Sequence, residues 1–383
     1  MAVALALALS SPSLSTTGAA FGAQAKPAQA PAPRKKSPTA KVAAPFPDAA
    51  TLAARRNAAQ DRRLFQSEEP LAFTLTADFK ALDRGRDGIK TFPAVLSVKG
   101  DEGEAPVRLP ATLRTRGNFR RLATTCTSPP LFVEFDKPSV KHTAFDGQKK
   151  LKLLVNCNES PRSDQLVLLE YAAYRMHNVL TPQSFRVRRA VATYADAKTG
   201  RTISTHNAVF IEDDDDVAAR MEGRAIALTG LSFKDFDQSS LALMSVFQYM
   251  IGNPDYSVNF MHNVRMVQTA TGVRYPITWD FDVTGFVDPQ YASPIAQVRQ
   301  AVAGARIRKY LGPCLTAEAF EPTLSAFRAK QGELLAIVSG MPGLDDTERR
   351  RASTYMGEFF TTIGSPDLVK RELIDSCGGR TTS

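Results

Sequence analysis

The run Gly252-Asn253-Pro254-Asp255-Tyr256-Ser257-Val258-Asn259-Phe260-Met261-His262-Asn263 directly follows an apolar segment, and Trp279-Asp280-Phe281-Asp282 follows soon after. Phosphoryl transfer needs a carboxylate to orient the acceptor hydroxyl and oxygen ligands that hold a cation against the phosphates. Magnesium takes carboxylate, carbonyl and water oxygens. Asp255, then Asn259 or Asn263, then Asp280 and Asp282 supply that set in that order. Val264–Val267 and Val273–Thr278 read as the hairpin that carries the second loop back. The ordinary alternative is a turn, because Asn-Pro-Asp is a common turn former.

Two further segments bear on the same chemistry. In Gln148-Lys149-Lys150-Leu151-Lys152-Leu153-Leu154 a strand places Lys150 and Lys152 on one face. A strand lysine can meet nucleotide phosphates and is usually oriented by a helix glutamate. Glu170 lies among apolar neighbours in the next helix, so its charge needs a partner. In Leu113-Arg114-Thr115-Arg116-Gly117-Asn118-Phe119-Arg120-Arg121, the arginines and the backbone amides near Gly117 and Asn118 could cover phosphates. No GxxxxGK[ST] sequence is present. Asp213 to Asp216 lacks the spaced ligands of a calcium loop and reads as a solvated turn or helix start. His262 reads as a supporting residue rather than a metal ligand.

These residues need elements to hold them. Alternation predicts strands at residues 71–76, 93–99, 106–114, 131–135 and 151–155, with turns at Gly100 and Gly103. Helical spacing of Leu166, Leu169, Ala173 and Met176 predicts a helix over Asp164–Leu180. A hairpin over Arg186–Tyr194 and Asn207–Glu212 follows. Ser239–Ile251 reads as an apolar helix, and Pro294–Cys377 as mostly helical. A strand-rich half followed by a helical half predicts an α+β, bilobal architecture, with an N-lobe over 55–213 and a helical C-lobe over 214–383.

The order Arg-Gly-Asn, lysine-rich strand, helix with Glu, hairpin ending in Phe-Ile-Glu, Asn-x-Asp, His-Asn and Trp-Asp-Phe resembles the spore coat protein H (CotH) kinase-like family. The resemblance runs from about Leu113 to Gly285. Asn253-Pro254-Asp255, His262-Asn263 and Trp279-Asp280-Phe281 are its most specific parts. The Gly-Asn-x-Asp start also looks like the catalytic loop of HipA-type kinases. The resemblance implies a bilobal protein-kinase-like fold and an atypical secreted kinase using ATP with magnesium or manganese. It implies Asp255 as the catalytic-loop aspartate, Asn263 and Asp280 as metal ligands, and Lys152 or Lys150 as the strand lysine with Glu170 as its helix partner. Ile211 to Asp213 would then meet adenine.

Composition frames the setting. The chain has 383 residues, 43% of them apolar, which is enough for a substantial core. A net charge of +9 suits a polyanionic neighbour without choosing among nucleotide phosphates, an acidic polymer and nucleic acid. We expect a protein substrate, a monomer, no nucleic-acid partner and no transmembrane segment. Residues 1–25 read as a signal peptide, with Ala23-Gln24-Ala25 at its end, although no Lys or Arg precedes the apolar run. Residues 26–54, rich in Ala, Pro and Lys towards their start, read as a linker. Export to the periplasm or beyond would permit two disulfides among four cysteines, with Cys126–Cys157 and Cys314–Cys377 favoured because each pair lies within one half. Two other function classes fit the same residues. One is a non-catalytic kinase-fold module that binds an acidic envelope polymer or partner protein. The other is a hydrolase using Asp255, Asp280 and Asp282.

Overall fold

A computed structural model describes residues 45–99, 105–290 and 306–377. The expected signal peptide, most of the linker, the turns at Gly100 and Gly103, and the start of the last helical segment lie outside the described residues. Ordered structure begins earlier than Arg55, at helix α1 (Ala49–Gln60), whose first turn is capped by Asp48 accepting from the Thr51 amide.

Seven strands dominate the first half: β1 (Leu71–Ala77), β2 (Phe92–Val98), β3 (Val107–Thr115), β4 (Leu131–Phe135), β5 (Lys150–Val155), β6 (Val187–Asp196) and β7 (Thr202–Ile211). They follow the order β1-β2-β3-β4-β5-β7-β6, and β6 pairs in parallel with β1 to close a barrel. This overturns the expected bilobal kinase-like fold, because a closed barrel is not the strand lobe of such a fold. The reason lies in side-chain size. Leu71 and Phe73 meet Ala190 and Ala192 across the β1–β6 pair, so two strands far apart in sequence approach around a core of Phe73, Leu75, Leu96, Leu109, Val133, Leu153 and Phe210. Closure also removes both sheet edges.

Alternation then sorts β5. Leu151, Leu153 and Val155 fill the barrel, while Lys152 and Leu154 lie on its outer face. That face, with Val187, Val209 and Ile211, packs on helix α3 (Pro161–Leu180). The same second core takes in α5 (Gln238–Ile251), α6 (Ala317–Ala329), α7 (Gln331–Ser339) and α8 (Asp346–Ile363). Short helices α2 (Phe79–Arg84) and α4 (Asp214–Arg220) and a three-stranded sheet complete the frame. The sheet comprises β8 (Gly223–Ile226), β9 (Val264–Thr269) and β10 (Arg274–Thr278), so the expected hairpin is β9–β10.

The Cys126–Cys157 and Cys314–Cys377 disulfides are both formed, which fits an oxidising compartment. Among the described residues no helix is long and apolar enough to cross a membrane.

His177 on α3 is fully buried and stacks on Phe247 at 4.4 Å between ring centroids. Burial pushes its pKa down to about 3. Its folded value lies below the unfolded one of about 6.5, so its neutral form adds stability that is complete above pH 6.5 and lost as pH falls towards 3. His177→Leu is expected to flatten the acid limb of the stability curve, removing a loss of about 1.4 kcal/mol per pH unit in that window. Urea denaturation at pH 4, 5, 6 and 7 measures it, and an unchanged slope would contradict the assignment.

Candidate functional site

Local structure explains how the central loop is held. Helix α5 ends at Gly252, which adopts the left-handed conformation, and a Cβ there would lie 2.0 Å from the Tyr355 hydroxyl. The Asn253 amide donates to the Gln248 carbonyl, its side chain donates to Gln248 Oε1, and the Asp255 amide donates back to Asn253 Oδ1. Asp255 is thereby fixed. Asn263 Nδ2 donates to Asp255 Oδ2 at 3.0 Å, and His262 Nε2 lies 2.9 Å from Asp255 Oδ1. The hydrogen bond to Asp255 is the main cause holding the His262 pKa above its ordinary value.

The next loop is anchored to the same place. The Trp279 amide donates to the Asn263 carbonyl, and the Asp280 amide donates to the Tyr174 hydroxyl. Asn263 and Asp280 both have positive φ, at 52° and 65°. Non-glycine residues held in that region store strain of about 1–3 kcal/mol and concentrate at functional sites. Asn259 turns away, donating to the Leu231 carbonyl, so Asn263 is the asparagine brought to Asp255.

Trp279, the single tryptophan of the chain, gathers the cations. Arg265 lies 4.6 Å, Lys152 5.2 Å and Arg116 5.7 Å from its ring. Lys152 is 3% exposed and donates to Asp214 Oδ1 at 2.5 Å. Burial lowers the Lys152 pKa, and Asp214 opposes that shift. Burial would raise the Asp214 pKa, but Lys152 and Arg265 outweigh it and hold it low. Arg116 is 5% exposed, and its Nε and Nη2 hydrogen bond to no protein atom.

The acidic side is crowded. Arg120 lies 3.9 Å from Glu170 and 3.6 Å from Asp282, and also donates to the Val155 carbonyl. Burial first, then the charges of Asp282 and Asp280, raise the Glu170 pKa well above the carboxylate range. Burial and Asp280 push Asp282 up to about 7. A divalent cation would relieve this crowding, and the available donors are hard carboxylate and carboxamide oxygens suited to magnesium or manganese. Among the described residues no three His, Cys, Asp or Glu side chains form a ready metal cage. Magnesium commonly uses one or two carboxylates together with substrate phosphates, so this donor set fits it.

The structure thus brings together Lys152, Arg116, Asp255, Asn263, Asp280 and Asp282, but it corrects the expected lysine partner. Glu170 meets Arg120, and Lys152 meets Asp214. The other expected contacts are dispersed. Gly117 and Asn118 are exposed at the loop tip, with the Gly117 carbonyl taken by Arg121 Nε. Lys150 reaches Asp213 at 3.8 Å, Asp213 caps α4, and Ile211 is fully buried in the second core. Sequence reasoning missed Asp214, hidden in a run of four like residues, and Trp279 as a platform. The only local signal for the latter was its place beside Asp280. The chain matches no protein-family model and no curated protein.

A double-mutant cycle checks the corrected pairing. Asp214→Asn is expected to cost about 2 kcal/mol, below the roughly 3–5 kcal/mol of a fully buried pair because Asp214 is 30% exposed. That cost should shrink without vanishing in a Lys152→Met background, because Arg265 still bonds Asp214. Equal coupling between Lys152 and Glu170 in denaturant titrations would contradict it.

Proposed function

We propose that this chain is a phosphotransferase that binds a nucleoside triphosphate with a divalent cation and passes the terminal phosphoryl group to a protein hydroxyl. The observation that supports this most is Arg116. A buried guanidinium with two unsatisfied nitrogens, beside a buried lysine, calls for an anion with several oxygens. Phosphates satisfy that demand, and the motif order that resembles CotH-type proteins points the same way.

In this reading Arg116 and Lys152 grip phosphate oxygens. Asp280 and Asn263, with Asp282 beside them, would hold magnesium or manganese, which supplies charge neutralisation for the phosphates. Asp255, fixed by Asn263 and His262, orients the acceptor hydroxyl and takes its proton. The hydroxyl oxygen forms the new O–P bond as the bridging bond to the β-phosphate breaks, and that bond's electron pair leaves with the nucleoside diphosphate. The two disulfides suit work on proteins during or after export.

Thermal unfolding with ATP and either magnesium or manganese tests the reading. Ligand at ten times its Kd stabilises by about 1.4 kcal/mol, visible as a rise in melting temperature. The rise should be lost in Asp280→Ala and in Arg116→Gln, and wild-type protein should transfer labelled phosphate to a mixed protein substrate where Asp255→Asn does not. No shift with any nucleotide and metal would overturn phosphotransfer and leave a non-catalytic anion-binding module.

A further inference from the structure

One end of the barrel is open. Its interior is filled by Phe73, Phe145 and Phe210, but at the mouth lies a cavity of about 130 Å³, walled by Phe79, Leu82, Leu131, Val155 and Tyr194. Barrel mouths are recurrent small-ligand sites. An apolar cavity of roughly 150 Å³ accommodates benzene, so the space here fits one planar ring.

The walls carry one unmet demand. The Tyr194 hydroxyl is buried and has no hydrogen-bond partner, while its ring stands edge-on to Phe79 at 5.5 Å. A buried polar group in that state is costly, and an occupant offering an acceptor would relieve it. The charges at the rim are matched internally. Arg86 bonds Asp83 and the carbonyls of Cys126 and Thr127. His206 lies 2.7 Å from Glu159 and 3.5 Å from Asp164. Each of these ionisable side chains therefore has a partner within the protein. The Cys126–Cys157 disulfide fixes the rim segments Thr127–Pro129 and Asn156, so the shape is set in advance.

We infer that the barrel mouth is a second binding site, separate from the residues gathered around Trp279, for a small neutral molecule with one planar ring and a hydrogen-bond acceptor directed at Tyr194. None of its walls belongs to the residues assigned to phosphate binding.

Benzamide serves as the probe, titrated into the full chain by calorimetry. Wild-type protein should bind it saturably, in the presence and absence of ATP. Tyr194→Phe should fold with equal or higher melting temperature and bind about fivefold more weakly. Ser204→Phe, which places a ring where Ser204 lines the cavity, should abolish binding while leaving the response to ATP and metal unchanged. Absence of saturable binding, unchanged affinity in either variant, or competition by ATP would overturn the assignment.

Discussion

Glu212 is the fixed point from which the remaining geometry follows. Its carboxylate is fully buried at the exit of β7, where an unpaired charge would cost several kcal/mol. It accepts from the Arg186 amide and guanidinium and from both Nε and Nη2 of Arg220. Arg186 extends this to the carbonyls of Ala59 and Gln60 at the end of α1, and Arg220 to those of Pro182 and Ser184. One carboxylate thus ties the last barrel strand, the first helix, the turn before β6 and α4 together. Because Asp214 starts α4 two residues later, its place against Lys152 is a consequence of that knot.

Around this anchor the site is a problem in charge placement. Three cations surround one indole on one side, and two carboxylates, Glu170 and Asp282, crowd Arg120 on the other, with the charge of Asp280 acting on both. Lys152 and Arg265 share one carboxylate, Asp214, and Arg120 is shared by two. Burial keeps Glu170 and Asp282 prone to hold protons, and Nε and Nη2 of Arg116 lack acceptors. Such frustration is tolerated where a ligand of mixed charge completes the set, and a metal–phosphate pair has that character. The left-handed Asn263 and Asp280 add backbone strain at the same point.

The sequence was most legible where periodicity is local. Alternation located five barrel strands, the hairpin signal located β6 and the second half of β7, and the apolar helix before Gly252 located the central loop. It failed where partners are distant. The parallel pairing of residues 71–77 with 187–196 leaves no local trace, so barrel closure went unseen and a bilobal kinase-like fold was expected. The need of Glu170 for a partner was readable from its apolar flanks, but Arg120, in a loop that looked merely basic, was not. Asp213 to Asp216 reads as one solvated run, whereas the fold sends the residues to separate tasks. Asp213 caps α4, Asp214 meets Lys152 and Arg265, and Asp216 meets Arg62.

The Cys126–Cys157 bond joins the loop after β3, which carries Arg116 and Arg120, to the end of the strand that carries Lys152. The bond adds a covalent link to hydrogen bonds that already tie this loop to β5, from Arg120 to the Val155 carbonyl and from Thr127 and Ser128 to the Cys157 carbonyl. By closing the loop it also limits the freedom of the unfolded chain, so the arginine loop and the lysine strand stay near one another even when the fold opens.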